Sequence, residues 1–318
     1  MNDTDTTTHQ DLVAIDIAKE SLEVLTAVGP AKAGVQLPND KAGLRKLLGL
    51  LKKIPAPFVI CEASGGYERA LLKSLHQAQI PLALVNPARV RAFAQSEGIK
   101  AKTDAIDAAV LLRFAKEKQL RPTPPPDPDT ALLAALLDRR SHLTEQIARE
   151  KNRLQNSLPA IEASIRRMME CAQKELLILE RQIRELIAQS AHLHAKQSVM
   201  RSVCGVGEIT AWTLLAYLSE ISHLKRNQLV ALAGLAPFNR DSGKTFKRRS
   251  ICGGRAKVRK CLYMAAQCAA VHNPVIQPYV SSLIQRGKPY KCAIVAAMRK
   301  ILIHLHSLLN SPQSCLAN

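Results

Sequence analysis

Four carboxylates in the first third of the chain stand where they could bind divalent cations together. Asp16 follows a short apolar run, and Glu62 closes the apolar run FVIC. Asp104 and Asp107 lie three residues apart at the start of a predicted helix, so they share one helix face. Carboxylate oxygens are hard ligands that suit Mg²⁺ or Mn²⁺. Two such ions can activate an attacking oxygen and stabilise a leaving oxygen at a phosphodiester, so this set indicates metal-assisted phosphoryl chemistry.

Each of these acids also has a structural interpretation. Asp16 suits a turn, and Asp104 suits the first turn of a helix, where a carboxylate interacts favourably with the helix dipole. The structural interpretation is weakest for Glu62, because an unpaired acid at the end of an apolar strand would be costly to bury. Ser64 and Tyr67 follow Glu62 closely and are candidates to support it by hydrogen bonds.

A second stretch that could do chemistry runs from Gly234 to Ala266 and contains Ser242. Between Arg240 and Lys260 it holds nine Lys and Arg side chains and a single acid. Backbone amides at its Ser-Gly and Gly-Gly pairs, together with these cations, suit a phosphate group. On these residues alone, a basic loop that only binds nucleic acid is as good an interpretation as a catalytic serine. The side chains predicted to contact phosphates are Arg240, Lys244, Arg248, Arg249 and Arg255.

The hydrophobic periodicity predicts two kinds of domain to position these residues. Over 10–122, three early strands, a helix and then alternating strands and helices form an α/β pattern. Residues 123–196 predict a stiff proline-rich linker and two long antiparallel helices, whose apolar seam could also pair with a second protomer. The seam consists of Leu132, Leu136, Leu143, Ile147 and Leu154. Residues 197–312 predict a mainly helical domain, with a G-V-G turn like that of a helix-hairpin-helix, which would offer amides to a phosphate.

Charge and composition narrow the class of protein. The 318 residues carry a net charge of +19, of which residues 127–318, with 28 basic and 13 acidic side chains, supply +15. That half is therefore the predicted footprint for a polyanion. Aromatic residues make up only 3% of the chain, which argues against base stacking as the main mode of binding. The eight cysteines form no C-x-x-C pair, and we expect reduced thiols, a cytoplasmic location and no membrane-spanning segment.

Three motifs in the first domain resemble those of a known family. DIAKE, CEASGGYE and KTDAIDA, in this order, are similar to the motifs of the RuvC-like DEDD domain that begins transposases of the insertion-sequence family one-ten. The resemblance implies an RNase H-like fold in which Asp16, Glu62, Asp104 and Asp107 bind Mg²⁺ or Mn²⁺.

The C-terminal motifs resemble the same family. GLAP, RDSGK, ICGGRAKVRK and LYMAA are similar to its C-terminal transposase domain, although Lys247 stands where many members carry glycine. The resemblance implies that Ser242 is a nucleophile that forms a covalent link to DNA. It further implies composite active sites in a dimer or a dimer of dimers, and a structured non-coding guide RNA that pairs with donor and target DNA.

Two alternative functions stay open at the level of sequence. One is a RuvC-like endonuclease or junction resolvase that uses activated water, in which Ser242 would only contact a phosphate. The other is a non-catalytic nucleic-acid-binding protein in which the four carboxylates are structural. The first alternative predicts cleavage without a protein–DNA adduct, and the second predicts no metal-dependent cleavage.

Overall fold

The protein forms two compact units, Met1–Pro125 and Pro126–Asn318. Its structure is a computed structural model that describes residues 11–26, 34–99, 104–118, 120–238 and 250–311. In the second unit, the long middle helices and the C-terminal helices contribute to one hydrophobic core. The three-part division predicted from the sequence, at 10–122, 123–196 and 197–312, stays a prediction.

A five-stranded sheet organises the first unit and confirms its α/β character. The strands are β1 (Asp11–Ile17), β2 (Ser21–Thr26), β3 (Val35–Pro38), β4 (Pro57–Glu62) and β5 (Leu82–Val85). They are arranged in the order β3-β2-β1-β4-β5. The first three strands pair antiparallel, whereas β4 is parallel to both β1 and β5. The sheet is therefore mixed, with β1 at its centre.

Four helices cover the two faces of this sheet. They are α1 (Lys41–Leu51), α2 (Arg69–Gln77), α3 (Pro87–Ser96) and α4 (Asp104–Glu117). The side chains of Asp40 and Asn86 accept hydrogen bonds from the first turns of α1 and α3, so both residues cap their helices. Because strand side chains alternate in direction, Val13 and Ile15 pack in the core with α1 and α2, whereas Ala14 packs in the core with α3 and α4.

The second unit is helical apart from one short strand pair. Its helices are α5 (Pro128–Gln155), α6 (Pro159–Gln189), α7 (Ala191–Arg201), α8 (Glu208–Tyr217), α9 (Arg226–Leu232), α10 (Ala256–His272), α11 (Ile276–Gln285) and α12 (Tyr290–Leu309). The strands β6 (Pro237–Phe238) and β7 (Ser250–Ile251) pair antiparallel. Trp212 of α8 is fully buried in the core of this unit.

The two long helices α5 and α6 lie antiparallel, as predicted, but their inner faces differ from the predicted seam. The short connection between them and the 2.9 Å hydrogen bond from Arg140 Nε to Glu180 Oε1 establish the direction. Leu133 and Leu137 are buried, whereas Leu132, predicted for the seam, is 50% exposed. Farther along α5 the predicted seam is confirmed, since Leu143 is buried against α6 with Leu136 and Ile147 packed around it. The first turns of α5 differ because they pack against the C-terminal helices as well as against α6.

The sequence periodicity did not predict α11. Pro278 lies in the first turn of α11, where the missing amide hydrogen would have no helical partner anyway.

The helix α12 is strongly apolar. In the described part of the chain, it is the helix whose length and mean hydropathy would suit a membrane span. One face of α12, including Ile294, Met298 and Leu302, is buried in the protein core. Packing in that core accounts for its apolar composition.

Candidate functional site

Asp16 and Glu62 occupy neighbouring positions on two paired strands. Ile15 of β1 pairs in parallel with Cys61 of β4, so the next residue along each strand is a carboxylate. Adjacent strands lie about 4.8 Å apart, and side chains at equivalent positions point to the same face. Ala14 and Ile60, two residues earlier, both pack in the core with α4. Asp16 and Glu62 therefore belong to the sheet face that α4 covers, and both are partly exposed.

The other two predicted ligands lie at the start of α4. Asp104 is the first residue of that helix and Asp107 lies one turn later, where it is partly exposed. Val110, Leu111 and other apolar residues farther along α4 pack in the same core as Ala14 and Ile60. The side chain of Asp104 lies outside the described residues, so its placement relative to the other acids stays a prediction.

A fifth carboxylate, which the sequence did not single out, lies beside Asp16. Glu23 of β2 pairs directly with Asp16 of β1 across the antiparallel ladder, so the two side chains are on the same face of the sheet. A β-carbon at Gly34 would lie 3.4 Å from Glu23 Oε1, which places the carboxylate against the start of β3. Only the strand register brings Glu23 next to Asp16, because seven residues and a turn separate them in the sequence.

The loop after Glu62 is organised by Glu68, another residue that sequence reasoning missed. Its Oε2 atom accepts hydrogen bonds from the Ser64 amide at 3.0 Å, the Ser64 hydroxyl at 2.8 Å and the Gly66 amide at 2.8 Å. Burial works against the charge of Glu68, but these hydrogen bonds and one from its own backbone outweigh it and lower the pKa of Glu68. The described contact of Ser64 is thus with Glu68, while Tyr67 is 49% exposed.

The acids at this end of the sheet also act on a neighbouring thiol. Cys61 is fully buried in the core between the sheet and α1 and α2. Burial, with smaller contributions from the charges of Glu68 and Glu62, raises the pKa of Cys61 to about 12. The thiol therefore stays protonated and serves as a small apolar core residue.

The donor set at this sheet face fits a hard divalent cation. Asp16, Glu62 and Asp107 supply carboxylate oxygens from β1, β4 and α4, and Mg²⁺ and Mn²⁺ prefer oxygen ligands. Their partial exposure leaves a path by which an ion and a phosphate could reach the oxygens. The arrangement can therefore hold a cation against one edge of the sheet.

A second group of potential ligands lies at the start of the second unit. Among the described side chains, Asp127, Asp129 and His192 bring one donor atom each within 4.8 Å of the others. Asp127 caps α5 by accepting from the Thr130 amide at 2.8 Å, and Ser190 donates to Asp129 at 2.5 Å. These hydrogen bonds join the starts of α5 and α7, so a structural role explains the group.

Ser242 lies in residues 239–249, outside the described part of the chain, together with Arg240, Lys244, Arg248 and Arg249. The strands on either side of this segment are described, and they are paired: Pro237 with Ile251 and Phe238 with Ser250. The segment that carries Ser242 thus begins and ends at one strand pair. Its nucleophile and its four phosphate-contacting residues stay predictions.

Two glycine turns contact each other just outside this strand pair and hold its ends together. Gly234 precedes β6 and Gly254 follows β7, and their φ angles are +71° and +66°. A β-carbon at Gly254 would lie 2.2 Å from the Gly234 amide nitrogen, and one at Gly234 would lie 2.4 Å from the Gly253 carbonyl oxygen. Only glycine fits this approach, which we call the glycine contact.

Gly254→Ala is expected to lower the free energy of unfolding by about 2–5 kcal/mol, because it adds a steric clash to an unfavourable φ angle. Gly253→Ala is a matched control, since Gly253 has a φ of +65° but a β-carbon there would meet no atom within 4 Å. That variant should lose only about 1–2 kcal/mol. Urea denaturation of both variants measures the difference. Equal losses would show that the backbone approach at Gly254 relaxes without cost.

Arg255, predicted to contact phosphate, makes several protein contacts. Its Nη1 and Nη2 atoms each lie 2.7 Å from an oxygen of Glu220, and Nη1 also donates to the Tyr217 carbonyl at 2.8 Å. The hydrogen bonds from Arg255, which outweigh the effect of burial, lower the pKa of Glu220. Because its charge is already paired, Arg255 is better placed to anchor the start of α10 than to attract a strand. Its contact with phosphate stays a prediction.

The predicted hairpin between two helices is present at α7 and α8. Gly205 has a φ of +101°, and a β-carbon there would lie 2.7 Å from the Ala269 β-carbon, so the turn is pressed against α10. Gly207 faces open space and precedes the first turn of α8. An open groove of about 470 Å³ lies beside this turn, and Arg184 and Arg201 line it with Glu208. Binding of a phosphate by the amides of the turn stays a prediction.

Comparison with known proteins finds two regions of this chain that match transposase families. Residues 13–162 match the DEDD_Tnp_IS110 family, described as "Transposase". Residues 197–281 match the "Transposase IS116/IS110/IS902 family". Over 298 residues the chain is 27% identical to the pilin gene-inverting protein of Moraxella lacunata, which covers 91% of this chain and 92% of that protein. The pilin gene-inverting protein of Moraxella bovis gives the same identity and coverage.

These matches agree with the arrangement of the described residues. The first match contains the sheet, α4 and the four predicted carboxylates, and the second contains the α7–α8 hairpin, the glycine contact and Ser242. A DEDD domain suggests dependence on a divalent metal, and transposase domains imply DNA as the substrate. Two regions of the chain therefore match transposase domains of the IS110 family, and this similarity implies an enzyme of DNA recombination.

Proposed function

We propose that this protein cuts and rejoins DNA through a covalent link between Ser242 and a DNA phosphate, with two divalent cations at Asp16, Glu62, Asp104 and Asp107. The observation that carries the proposal is the register of β1 and β4, which puts Asp16 and Glu62 side by side on the face that α4 covers. The strand order β3-β2-β1-β4-β5, with β2 antiparallel to the other four strands, supports an RNase H-like interpretation of the first unit.

The four carboxylates would bind the cations, and the cations would bind the scissile phosphate. Mg²⁺ or Mn²⁺, when bound, would polarise the phosphate and neutralise charge that develops on its oxygens. Asp16 and Glu62 lie on paired strands of a sheet that is packed on both faces, so their backbone positions are rigid. Asp104 and Asp107 would complete the ligand set from the start of α4. Rigid placement matters because catalytic groups act best when they are already in position.

Ser242 would replace one ester oxygen of the DNA phosphodiester. The Ser242 Oγ–P bond forms as the bond from phosphorus to a deoxyribose oxygen breaks, the serine proton is released, and the departing oxygen takes up a proton to become a hydroxyl. A hydroxyl of another DNA end can then attack the phosphoserine ester and release Ser242. The number of phosphodiester bonds is conserved, so rejoining needs no ATP.

Basic residues around Ser242 would hold the strand. Arg240, Lys244, Arg248 and Arg249 lie in the same segment between β6 and β7, and we propose that they contact the flanking phosphates. Arg255 takes a smaller part in this proposal, since Glu220 already binds its guanidinium. Two relatives are named for the inversion of a pilin gene. Inversion of a DNA segment is one outcome that the same cleavage and rejoining would give.

A structured guide RNA is the further partner that we propose. The charge of +15 over residues 127–318 is available for a polyanion longer than the DNA strand at Ser242. The RNA would pair with donor and target DNA, so base pairing rather than side chains would read sequence. Such a division of labour is compatible with the scarcity of aromatic residues in the chain, 3% of the total.

Assembly into a homo-oligomer is expected to use α6. Ile161 and Met168, seven residues apart, are 52% and 50% exposed, and Leu177 is 65% exposed. A heptad spacing of apolar residues suits a second helix. Ile161→Glu combined with Met168→Glu should weaken self-association about thirtyfold or more, which light scattering after size exclusion would detect. Ser164→Glu, at an exposed position of the same helix, is the control. An unchanged oligomer in the double variant would exclude this face.

The experiment that tests the proposed function is the capture of a covalent protein–DNA adduct. The full-length protein is incubated with Mg²⁺, candidate guide RNA and element-end DNA, then denatured and digested, and the DNA-linked peptide is identified by mass spectrometry. The expected peptide contains Ser242. Metal-dependent cleavage without any adduct would favour the hydrolytic endonuclease, and the absence of both cleavage and adduct would favour a binding protein.

A further inference from the structure

The first turn of α10 follows directly after the segment that carries Ser242, and it is held in an unusual way. Arg255 is the N-cap residue of α10 and Lys257 lies in its first turn, which contains no acidic residue. Cations at a helix N-terminus are disfavoured by the helix dipole. Each of these two cations is paired with a carboxylate from another part of the unit, Arg255 with Glu220 and Lys257 with Asp138.

The second of these pairs reaches the long helix α5. Lys257 Nζ donates to Asp138 Oδ1, lies 3.2 Å from the Tyr217 hydroxyl oxygen and is 4.4 Å from the centroid of the Tyr217 ring. The Tyr217 hydroxyl in turn donates to Asp138 and lies 3.0 Å from the Ala134 carbonyl oxygen. Asp138, Tyr217 and Lys257 form one polar cluster, the α5–α8–α10 cluster, at the junction of three helices.

Tyr217, the last residue of α8, links this cluster to Arg255. The Tyr217 carbonyl accepts from Arg255 at 2.8 Å, while its hydroxyl faces Asp138. A continuous path of hydrogen bonds therefore runs from α5, through Tyr217, to the two residues that start α10. The Arg255 amide also donates to the Leu232 carbonyl at 2.8 Å, next to the glycine contact that closes the strand pair β6–β7.

Stabilisation of the fold does not by itself explain why the junction of these three helices is polar. The same three helices are already packed through a continuous apolar core, to which Leu137, Leu214 and Val258 contribute. Apolar side chains would stabilise the junction at least as well, since partly buried ion pairs lose much of their attraction to desolvation. What a hydrogen-bonded cluster adds is a defined register between helices. Here it fixes α5 relative to the first turn of α10.

We infer that Asp138, Tyr217 and Lys257 are positioning residues that hold the start of α10, and with it the strand pair β6–β7, in register with the long helix α5. The inference rests on the proposed function only in taking Ser242, which lies between these two strands in the sequence, as the reacting group. A displacement of α5 would be passed through Asp138 to the start of α10, and from there to β7.

Asp138→Asn in the full-length protein tests this inference. A carboxylate does not bind phosphate, so a lower rate of adduct formation in this variant would not result from a lost contact with DNA. We expect the rate of adduct formation at saturating DNA to fall about tenfold to a hundredfold, the size of effect that small misplacement of a reacting group causes. The dissociation constant for DNA should stay within about twofold, since the variant removes no cation.

Arg140→Gln is the matched control. It breaks the ion pair between Arg140 and Glu180, which joins α5 to α6. Arg140 lies on α5, the same helix as Asp138. Both variants remove one contact of α5, and comparable melting temperatures would show comparable damage to stability. A rate that falls equally in both variants, or that stays unchanged in Asp138→Asn, would overturn the positioning role. Tighter DNA binding at unchanged rate would show that Asp138 only masks Lys257.

Hydrogen exchange separates this inference from the proposed function. We expect peptides covering residues 250–262, which include β7 and the start of α10, to exchange at least about fivefold faster in Asp138→Asn than in Arg140→Gln, because loss of an anchor favours local opening. If the unaltered protein forms no adduct but this difference is found, the positioning role stands and the serine mechanism fails. If the adduct forms but exchange and rate are the same in both variants, the positioning role fails alone.

Discussion

Ser242→Ala is expected to abolish the protein–DNA adduct and to lower strand exchange by roughly 10⁴-fold or more, because loss of a covalent nucleophile removes the first chemical step. DNA binding should stay within about twofold, since the serine hydroxyl is a minor contact in a segment rich in cations. Gel analysis of denatured reaction mixtures measures the adduct, and filter binding measures the affinity.

The control for this variant lies a few residues away. Ser250 is an exposed residue of β7 that pairs with Phe238, and it belongs to the same basic stretch. Ser250→Ala should retain the adduct at a normal rate. An adduct that persists in Ser242→Ala, or that disappears in Ser250→Ala instead, would assign the nucleophile to another residue.

Glu62→Gln should reduce DNA cleavage on the order of 10³-fold, since several kcal/mol of transition-state stabilisation depend on correctly held cations and each 1.36 kcal/mol is a factor of ten. The substitution keeps the shape of the side chain and removes its charge. The concentration of Mg²⁺ or Mn²⁺ needed for half-maximal cleavage should rise at the same time. Cleavage assays over a metal titration measure both effects.

Glu20→Gln provides the comparison for Glu62→Gln. Glu20 lies in the turn between β1 and β2, with an 87% exposed side chain. The same change of charge there should leave cleavage and its metal dependence unaltered. Full activity of Glu62→Gln would mean that this carboxylate is structural, and an equal loss in Glu20→Gln would indicate a general electrostatic effect.

Much of the first unit could be predicted because its signals are local. Apolar runs of strand length ended at Asp16 and Glu62, and capping residues marked the starts of helices at Asp40 and Asn86. The pairing that brings Glu23 beside Asp16 was not predictable, because register depends on contacts between strands that no local pattern encodes. Glu68 was missed for a similar reason, since its role depends on three donors that converge on one oxygen atom.

In the second unit, the hydrophobic periodicity did not determine which face of a helix is buried, and tertiary packing did. The apolar residues of α5 repeat closely enough to allow two neighbouring faces, and the helices behind it buried Leu133 rather than Leu132. Likewise, the charge of Arg255 suggested a phosphate contact, but only the fold reveals that Glu220 binds it. Long-range ion pairs such as Lys257 with Asp138 join residues more than a hundred positions apart, and no spacing rule can find them.

The glycine contact has a consequence for how the segment between β6 and β7 can evolve. Because Gly234 and Gly254 already bring the two ends together, a longer insertion between β6 and β7 would cost little chain entropy, about 0.6 kcal/mol for each doubling in length. The length and sequence of this segment can therefore vary while the two glycine turns and the strand pair keep their geometry. Lys247, the predicted departure from the family motif, lies in this segment of the sequence.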